Sequence, residues 1–229
     1  MFFALQLLLA NYLYSQDAKV PNLPKYYRSV LNFGFYLGVN RADFSVISSL
    51  DKPDSILVIE SAPKTGFNLG IMAEVRLHEY VTLRFLPDLA FSERNIQFQM
   101  KDSKGEYLLS KQVESTFLDF PLNIKYRSKR LNNFGAYVVG GGRYTIDLAS
   151  QKDVKTTNPN EAIIKLNNKD FAYELGTGLD FYLTYFKFGI EFKWVFGLSN
   201  ILVRDNFIYS KSLDKLNSRM FLLSFTFEG

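Results

Sequence analysis

The sequence predicts an all-β fold: an eight-stranded antiparallel transmembrane β-barrel of the outer-membrane type, with short periplasmic turns and long extracellular loops. Three observations predict it. Bulky apolar residues recur with period two along segments of strand length, which is the side-chain alternation of a β-strand and not the 3.6 period of a helix. The glycines and charges fall mainly on the opposite face of the same segments. Long and short connections alternate along the chain, as they must when an even number of strands crosses a membrane.

The clearest stretch runs from Phe171 to Ser199. Phe171, Tyr173, Leu175, Leu179, Phe181 and Leu183 share one face, against Ala172, Glu174, Gly176, Gly178, Asp180 and Tyr182. After a turn at Thr184-Tyr185-Phe186 the pattern resumes as Phe188, Ile190, Phe192, Trp194, Phe196 and Leu198. Lys187, Gly189, Glu191, Lys193, Val195, Gly197 and Ser199 oppose them. Alternation alone does not say which face is inside, because a soluble lipocalin-like barrel or sandwich would turn its apolar side inward. Bulk decides. The interior of an eight-stranded barrel is only just wide enough for ordinary side chains, so it cannot hold an aromatic side chain at every second position. The glycine-bearing face fits there instead, and the aromatic face goes to lipid.

The other strands follow in order. Strand one, about 32–47, sets Phe33, Phe35, Leu37 and Val39 against Gly34, Tyr36, Gly38 and Asn40. A loop is expected at 48–64. Strand two, about 65–77, alternates most cleanly, with Phe67, Leu69, Ile71, Ala73, Val75 and Leu77 outward. A tight turn at His78-Glu79 leads to strand three, about 80–98, where Pro87 removes a ladder donor and predicts a bulge. Residues 99–112 read as a second loop. Strand four covers about 113–127 and strand five about 134–148, separated by the turn Ser128-Lys-Arg-Leu-Asn-Asn133. The longest loop is expected at 149–170, before the two strands described above, and a fourth at 200–217. Strand eight then carries Phe221, Leu223, Phe225 and Phe227. Closing the sheet leaves no unpaired edge in hydrocarbon.

Composition narrows the alternatives. The 229 residues are 47% hydrophobic and 16% aromatic, yet mean hydropathy is close to neutral because each strand is half polar. No run of about 18 apolar residues offers a membrane helix. Cysteine is absent, which removes disulfides and thiolate metal sites. A net charge of +4 without a basic, aromatic-laced stripe gives nucleic acid nothing to bind. Residues 1–16 read as a secretory signal peptide cleaved near Ser15-Gln16, although no Lys or Arg precedes its apolar run. Residues 17–31, with two prolines and no period, read as an extended periplasmic segment, and 32–229 as the barrel. Both termini are then expected in the periplasm of a Gram-negative bacterium.

The candidate site is a set of inward charges: Glu74, Arg76, Arg84, Asp88, Asp119, Lys125, Arg127, Arg143, Asp147, Glu174, Asp180, Glu191 and Lys193. Mixed signs in a narrow bore are stable only when paired and hydrogen-bonded, so they are expected to form an ion network that plugs the lumen. A narrow proton or solute path is the alternative use of the same groups. Gly140-Gly141-Gly142-Arg143 superficially resembles a phosphate loop but lies mid-strand with no helix after it, so it reads as small residues easing curvature. His78, the single histidine, sits at a periplasmic turn, away from the outer leaflet where a lipid-modifying enzyme would need it. No catalytic residue, cofactor, metal or small-molecule substrate is expected. Membrane lipid is the expected surrounding, and the four long loops are the expected contact surface.

Several stretches together resemble the PorT family of small outer-membrane barrels, also called SprT in gliding bacteria. They are Phe33-Gly-Phe-Tyr-Leu-Gly-Val-Asn40, Arg84-Phe-Leu-Pro-Asp-Leu-Ala-Phe91, Phe117-Leu-Asp-Phe-Pro-Leu122 with Lys125-Tyr126, and Ser128-Lys-Arg-Leu-Asn-Asn133. Gly140-Gly141, Tyr144, Asp147-Leu-Ala149, Asp180-Phe-Tyr-Leu183 and Tyr185-Phe-Lys-Phe188 continue the series. Ser212-Leu-Asp-Lys-Leu216 and Ser218-Arg-Met220 complete it. The resemblance spans nearly all of the chain after the signal sequence. It implies a non-enzymatic accessory of type IX secretion, exporting cargo that carries a carboxy-terminal sorting domain in contact with other outer-membrane components. A structural or adhesive barrel that binds an external ligand through its long loops is the alternative function.

Overall fold

The computed structural model describes residues 21–24, 26–49, 53, 55–103, 105–149, 165–204 and 208–229. The expected signal sequence lies outside them. Among the described residues nine strands form one antiparallel sheet: β1 (Leu31–Ser48), β2 (Ile56–Arg76), β3 (Val81–Phe85), β4 (Asp88–Asp102), β5 (Gly105–Arg127), β6 (Phe134–Asp147), β7 (Lys169–Tyr182), β8 (Lys187–Gly197) and β9 (Leu213–Glu228). β3 and β4 are consecutive halves of one wall, since both pair with β2 on one side and β5 on the other. Eight walls therefore surround the axis. β1 pairs with both β2 and β9, which closes the ring.

The break between β3 and β4 is the bulge that Pro87 predicts. Leu86 turns inward there, fully buried beside Tyr36 and Met72. The ladder survives around it, because Ile71 donates to the Pro87 carbonyl (3.1 Å) and Leu86 to the Pro121 carbonyl (3.2 Å).

The faces lie as bulk requires. Phe33, Phe35, Phe67, Leu69, Ile71, Phe171, Leu175 and Trp194 are exposed on the outside. Their rings stack in ladders such as Phe35–Phe227 at 5.0 Å and Phe67–Phe91 at 4.7 Å. The inside holds buried charges and amides.

Two expected loops are strand instead. β2 begins at Ile56, within the expected loop 48–64, and β4 and β5 run through the expected loop 99–112, with a turn at residue 103. The reason is an inversion of phase. Inside the apolar band, odd positions of β4 point apolar groups outward (Leu89, Phe91) and even Asp88 inward. Beyond it, Glu93, Asn95, Gln97 and Gln99 face out while Ile96, Phe98 and Met100 are buried. β1 does the same at Arg41 and Asp43 outside against Phe44 inside. A strand leaving lipid for water keeps its pleat and exchanges the chemistry of its faces. The extension of β4 and β5, at about 3.4 Å per residue, projects roughly 30 Å beyond the band. Its inner side carries Ile96, Phe98 and Met100, which cluster with Phe44 of β1, Ile56 and Ile59 of β2, and Leu166, Ile201, Leu202, Leu213 and Leu216. Leu166 and Leu202 form an isolated bridge, and a one-turn helix, Ile208–Lys211, precedes β9.

Candidate functional site: an ion chain along the bore

β1 starts and β9 ends at the same rim of the barrel, and the bore is filled from that rim upward. At the rim, Lys187 of β8 contacts Glu228 of β9 closely and lies 3.5 Å from Glu74 and 3.9 Å from Asp180. Lys125 pairs with Asp180 at 2.9 Å and reaches Glu74 at 3.8 Å, with its ammonium 3.8 Å from the centre of the Tyr137 ring. One level up, Arg84 binds Glu74 (2.7 Å) and Glu191 (2.5 Å), while the Tyr137 hydroxyl donates to Glu191 (2.8 Å). Lys193 then links Glu191 (3.5 Å) to Glu174 (3.1 Å). Glu174 also accepts from Asn123, and Arg143 ties Glu174 (2.6 Å) to Asp119 (3.0 Å). The result is one alternating chain: Glu228, Lys187, Glu74, Arg84, Glu191, Lys193, Glu174, Arg143, Asp119.

Neutral groups add further hydrogen bonds inside the bore. Thr145 donates to Asp119 (2.5 Å) and Asn68 to Asp88 (2.5 Å). Asn40 donates to Asn68 (2.7 Å) and accepts from Ser92 (3.0 Å). Above Asp119, the Arg94 guanidinium lies between the rings of Phe44 (4.3 Å) and Phe117 (4.8 Å), donates to Ser115 (2.8 Å) and approaches Asp147 at 3.7 Å. It joins the polar bore to the apolar cap.

Eleven of the sequence-derived charges are thus buried inside: Glu74, Arg84, Asp88, Asp119, Lys125, Arg143, Asp147, Glu174, Asp180, Glu191 and Lys193. Arg76 and Arg127 lie half-buried at the rim, lining one small pocket with Glu74, Lys125, Asp180 and Lys187, and each also donates to main chain: Arg76 to the Tyr26 carbonyl (3.1 Å) and Arg127 to the Glu79 carbonyl. Lys187, Glu228, Arg94 and Tyr26 belong to the bore although the candidate set omits them. Lys187 and Glu228 sit on the polar face of their strands but at the very ends, and Arg94 lies past the apolar band, so no lipid-facing neighbour flags it.

Tyr26 comes from the segment expected to be an extended leader. Its described part instead crosses the rim. A 3-10 turn at Tyr26–Arg28 places the Tyr26 hydroxyl where it donates to Glu228 (2.6 Å). Burial, reinforced by the Glu228 carboxylate, pushes its phenol well above the ordinary tyrosine range, so it remains a donor. Asn22 fixes the segment by donating to Asn133 (2.8 Å) and to the Tyr182 carbonyl (3.0 Å). In Gly140-Gly141-Gly142 only Gly141 needs to be glycine for space, since a Cβ there would strike the Leu122 carbonyl and Asn123. His78 is exposed at the turn between β2 and β3. Among the described residues no group of three or more His, Cys, Asp or Glu is placed to hold a metal ion.

The chain is similar in structure to small outer-membrane barrels. OprG from Pseudomonas aeruginosa aligns with a TM-score of 0.49 at 13% identity, covering 87% of this chain and 95% of that one. Neisserial surface protein A gives 0.44 at 12%, covering 85% and 95%, and AlkL, solved in lipid bilayers by solid-state NMR, gives 0.45 at 12%, covering 94% and 93%. No curated protein sequence matches the chain significantly. The model of the outer membrane protein β-barrel domain matches residues 14–203. The phase of the strands, the closed ring and this match agree: the chain belongs to the outer membrane protein β-barrel domain family.

Proposed function

We propose that this outer-membrane barrel is a non-enzymatic accessory of type IX protein secretion, acting through contacts with other outer-membrane components of that machinery. The observation that carries the reading is the filled bore. Nine alternating charges, an apolar cap at one end and the Tyr26 segment at the other leave no lumen for a protein cargo. A barrel closed in this way acts through its surfaces. The sequence stretches that resemble the PorT family, spread from β1 to β9, supply the identity of the pathway. In this reading the rim with Tyr26 faces the periplasm and the β4–β5 extension faces the outside.

A clean deletion tests it. Cargo with a carboxy-terminal sorting domain is expected to accumulate in the periplasm, with lipid A unchanged, and the plasmid-borne gene restores export. Normal export in the deletion strain overturns the reading. A detergent pull-down from intact outer membrane is expected to recover components of the same secretion machinery.

A further inference from the structure

The ring of hydrogen bonds is complete only within the apolar band. β5 pairs with β6 from Phe117↔Asp147 down to Arg127↔Tyr137, and Leu148 adds one bond to the Thr116 carbonyl (2.8 Å). Above that point β5 continues to Gly105 paired with β4 alone. Among the described residues, nothing pairs with its other side. The Pro121 carbonyl accepts from Leu86, so odd residues of β5 turn their main chain towards β3 and β4, and even residues turn away. Glu106, Leu108, Ser110, Gln112 and Glu114 therefore direct N–H and C=O groups out of the sheet, and all five are exposed. An exposed edge of this length is a template for another strand, and proteins ordinarily blunt or cover it.

The side chains describe the occupant. On the inner side the edge strand carries half-buried Leu109 and Val113, packed on the apolar cap. On the outer side a row of charges crosses the sheet: Lys64 of β2 pairs with Glu93 of β4 at 3.3 Å, and Glu93 lies directly opposite Glu114 of β5. Two carboxylates side by side are destabilising, and a cation on the far side of Glu114 would relieve them. A second copy in the same membrane would run its own β5 in the same direction, which disfavours the antiparallel pairing that gives the better-aligned bonds.

We infer that the β5 edge from Glu106 to Glu114 is a docking site for an extended segment of another protein. That segment adds as an antiparallel strand, with apolar residues towards the cap and a Lys or Arg opposite Glu114. Main-chain bonds give the affinity and the alternating side chains the specificity. The inference stands apart from the secretion role, because its test reads the edge itself and not export.

The test uses the full chain in lipid nanodiscs and an acetylated nine-residue peptide of alternating valine and lysine as the probe. Amide hydrogen exchange at Leu108, Ser110 and Gln112 is expected to be fast without peptide and to slow by about ten-fold or more with it. Ser110→Pro removes one outward N–H and no bond to β4, so it is expected to abolish the slowing while leaving the folded gel mobility unchanged. A peptide with glutamate in place of lysine is expected to slow exchange far less at low salt. Three results overturn the inference: no slowing by the lysine peptide, equal slowing by the glutamate peptide, or protection without any peptide. Protection at every protein concentration would mean the chain covers its own edge, and protection only at high concentration would mean a second copy does.

Discussion

At the scale of single residues the bore is a problem of charge neutrality. Arg84 is fully buried and holds both Glu74 and Glu191, which sit on different walls. Arg84→Ala leaves two buried carboxylates short of a partner, and such losses cost about 3–5 kcal/mol. Urea unfolding followed by gel mobility is expected to register a loss of that size, with part recovered when Glu191→Gln is added. A loss below about 1 kcal/mol would mean the pair is better hydrated than its burial implies. Tyr26→Phe removes the donor to Glu228 and is expected to cost about 1–3 kcal/mol in the same assay. Which residues point inward was legible from period two together with the bulk of the aromatic face, which the narrow interior cannot hold. Who meets whom was only half legible. Glu74 and Arg84 are register neighbours on β2 and β3, but Arg84 and Glu191 meet across the bore, which depends on strand tilt and stagger that no local pattern encodes. Glycine is legible in the same partial way. Gly178 leaves room for the Tyr137 ring that donates to Glu191, a contact between β6 and β7 invisible before the walls are assembled.

At the scale of elements, what the sequence hides is the length of β2 and β5 and the last residues of β4. Their ends look like polar loops because the outward residues become polar, and the inward Ile56, Ile59 and Met100 appear as scattered apolar residues. Reading both phases of the alternation, and not only the apolar-out one, would have extended the strands. Phe98 is the centre of the resulting cap, buried completely at the end of the bore. Phe98→Ala is expected to destabilise that cap by about 3–5 kcal/mol. Because the transmembrane part is held separately, the loss should be local: limited proteolysis cuts between residues 92 and 115 while the rest of the barrel keeps its folded gel mobility. Global unfolding by the same change would mean cap and barrel form one cooperative unit.

At the scale of the whole molecule, eight walls and their outward faces were legible because lipid imposes one rule on every strand at once. The plug at the Tyr26 rim was not, since it rests on a short segment without any period. Ile71 lies within the outward apolar stretch of β2, 67% exposed, and Ile71→Arg is expected to cost about 2–4 kcal/mol in lipid if that position is near the midplane. Gln97→Arg, on the outer side of the extension in water, is expected to change stability by less than about 0.5 kcal/mol. The most direct measurement uses Trp194, the single tryptophan, which is 48% exposed on the outward face of β8. In liposomes its emission is expected at short wavelength, strongly quenched by brominated acyl chains and indifferent to aqueous iodide. Quenching by iodide with no response to brominated lipid would place the aromatic face in water and contradict the barrel's orientation outright.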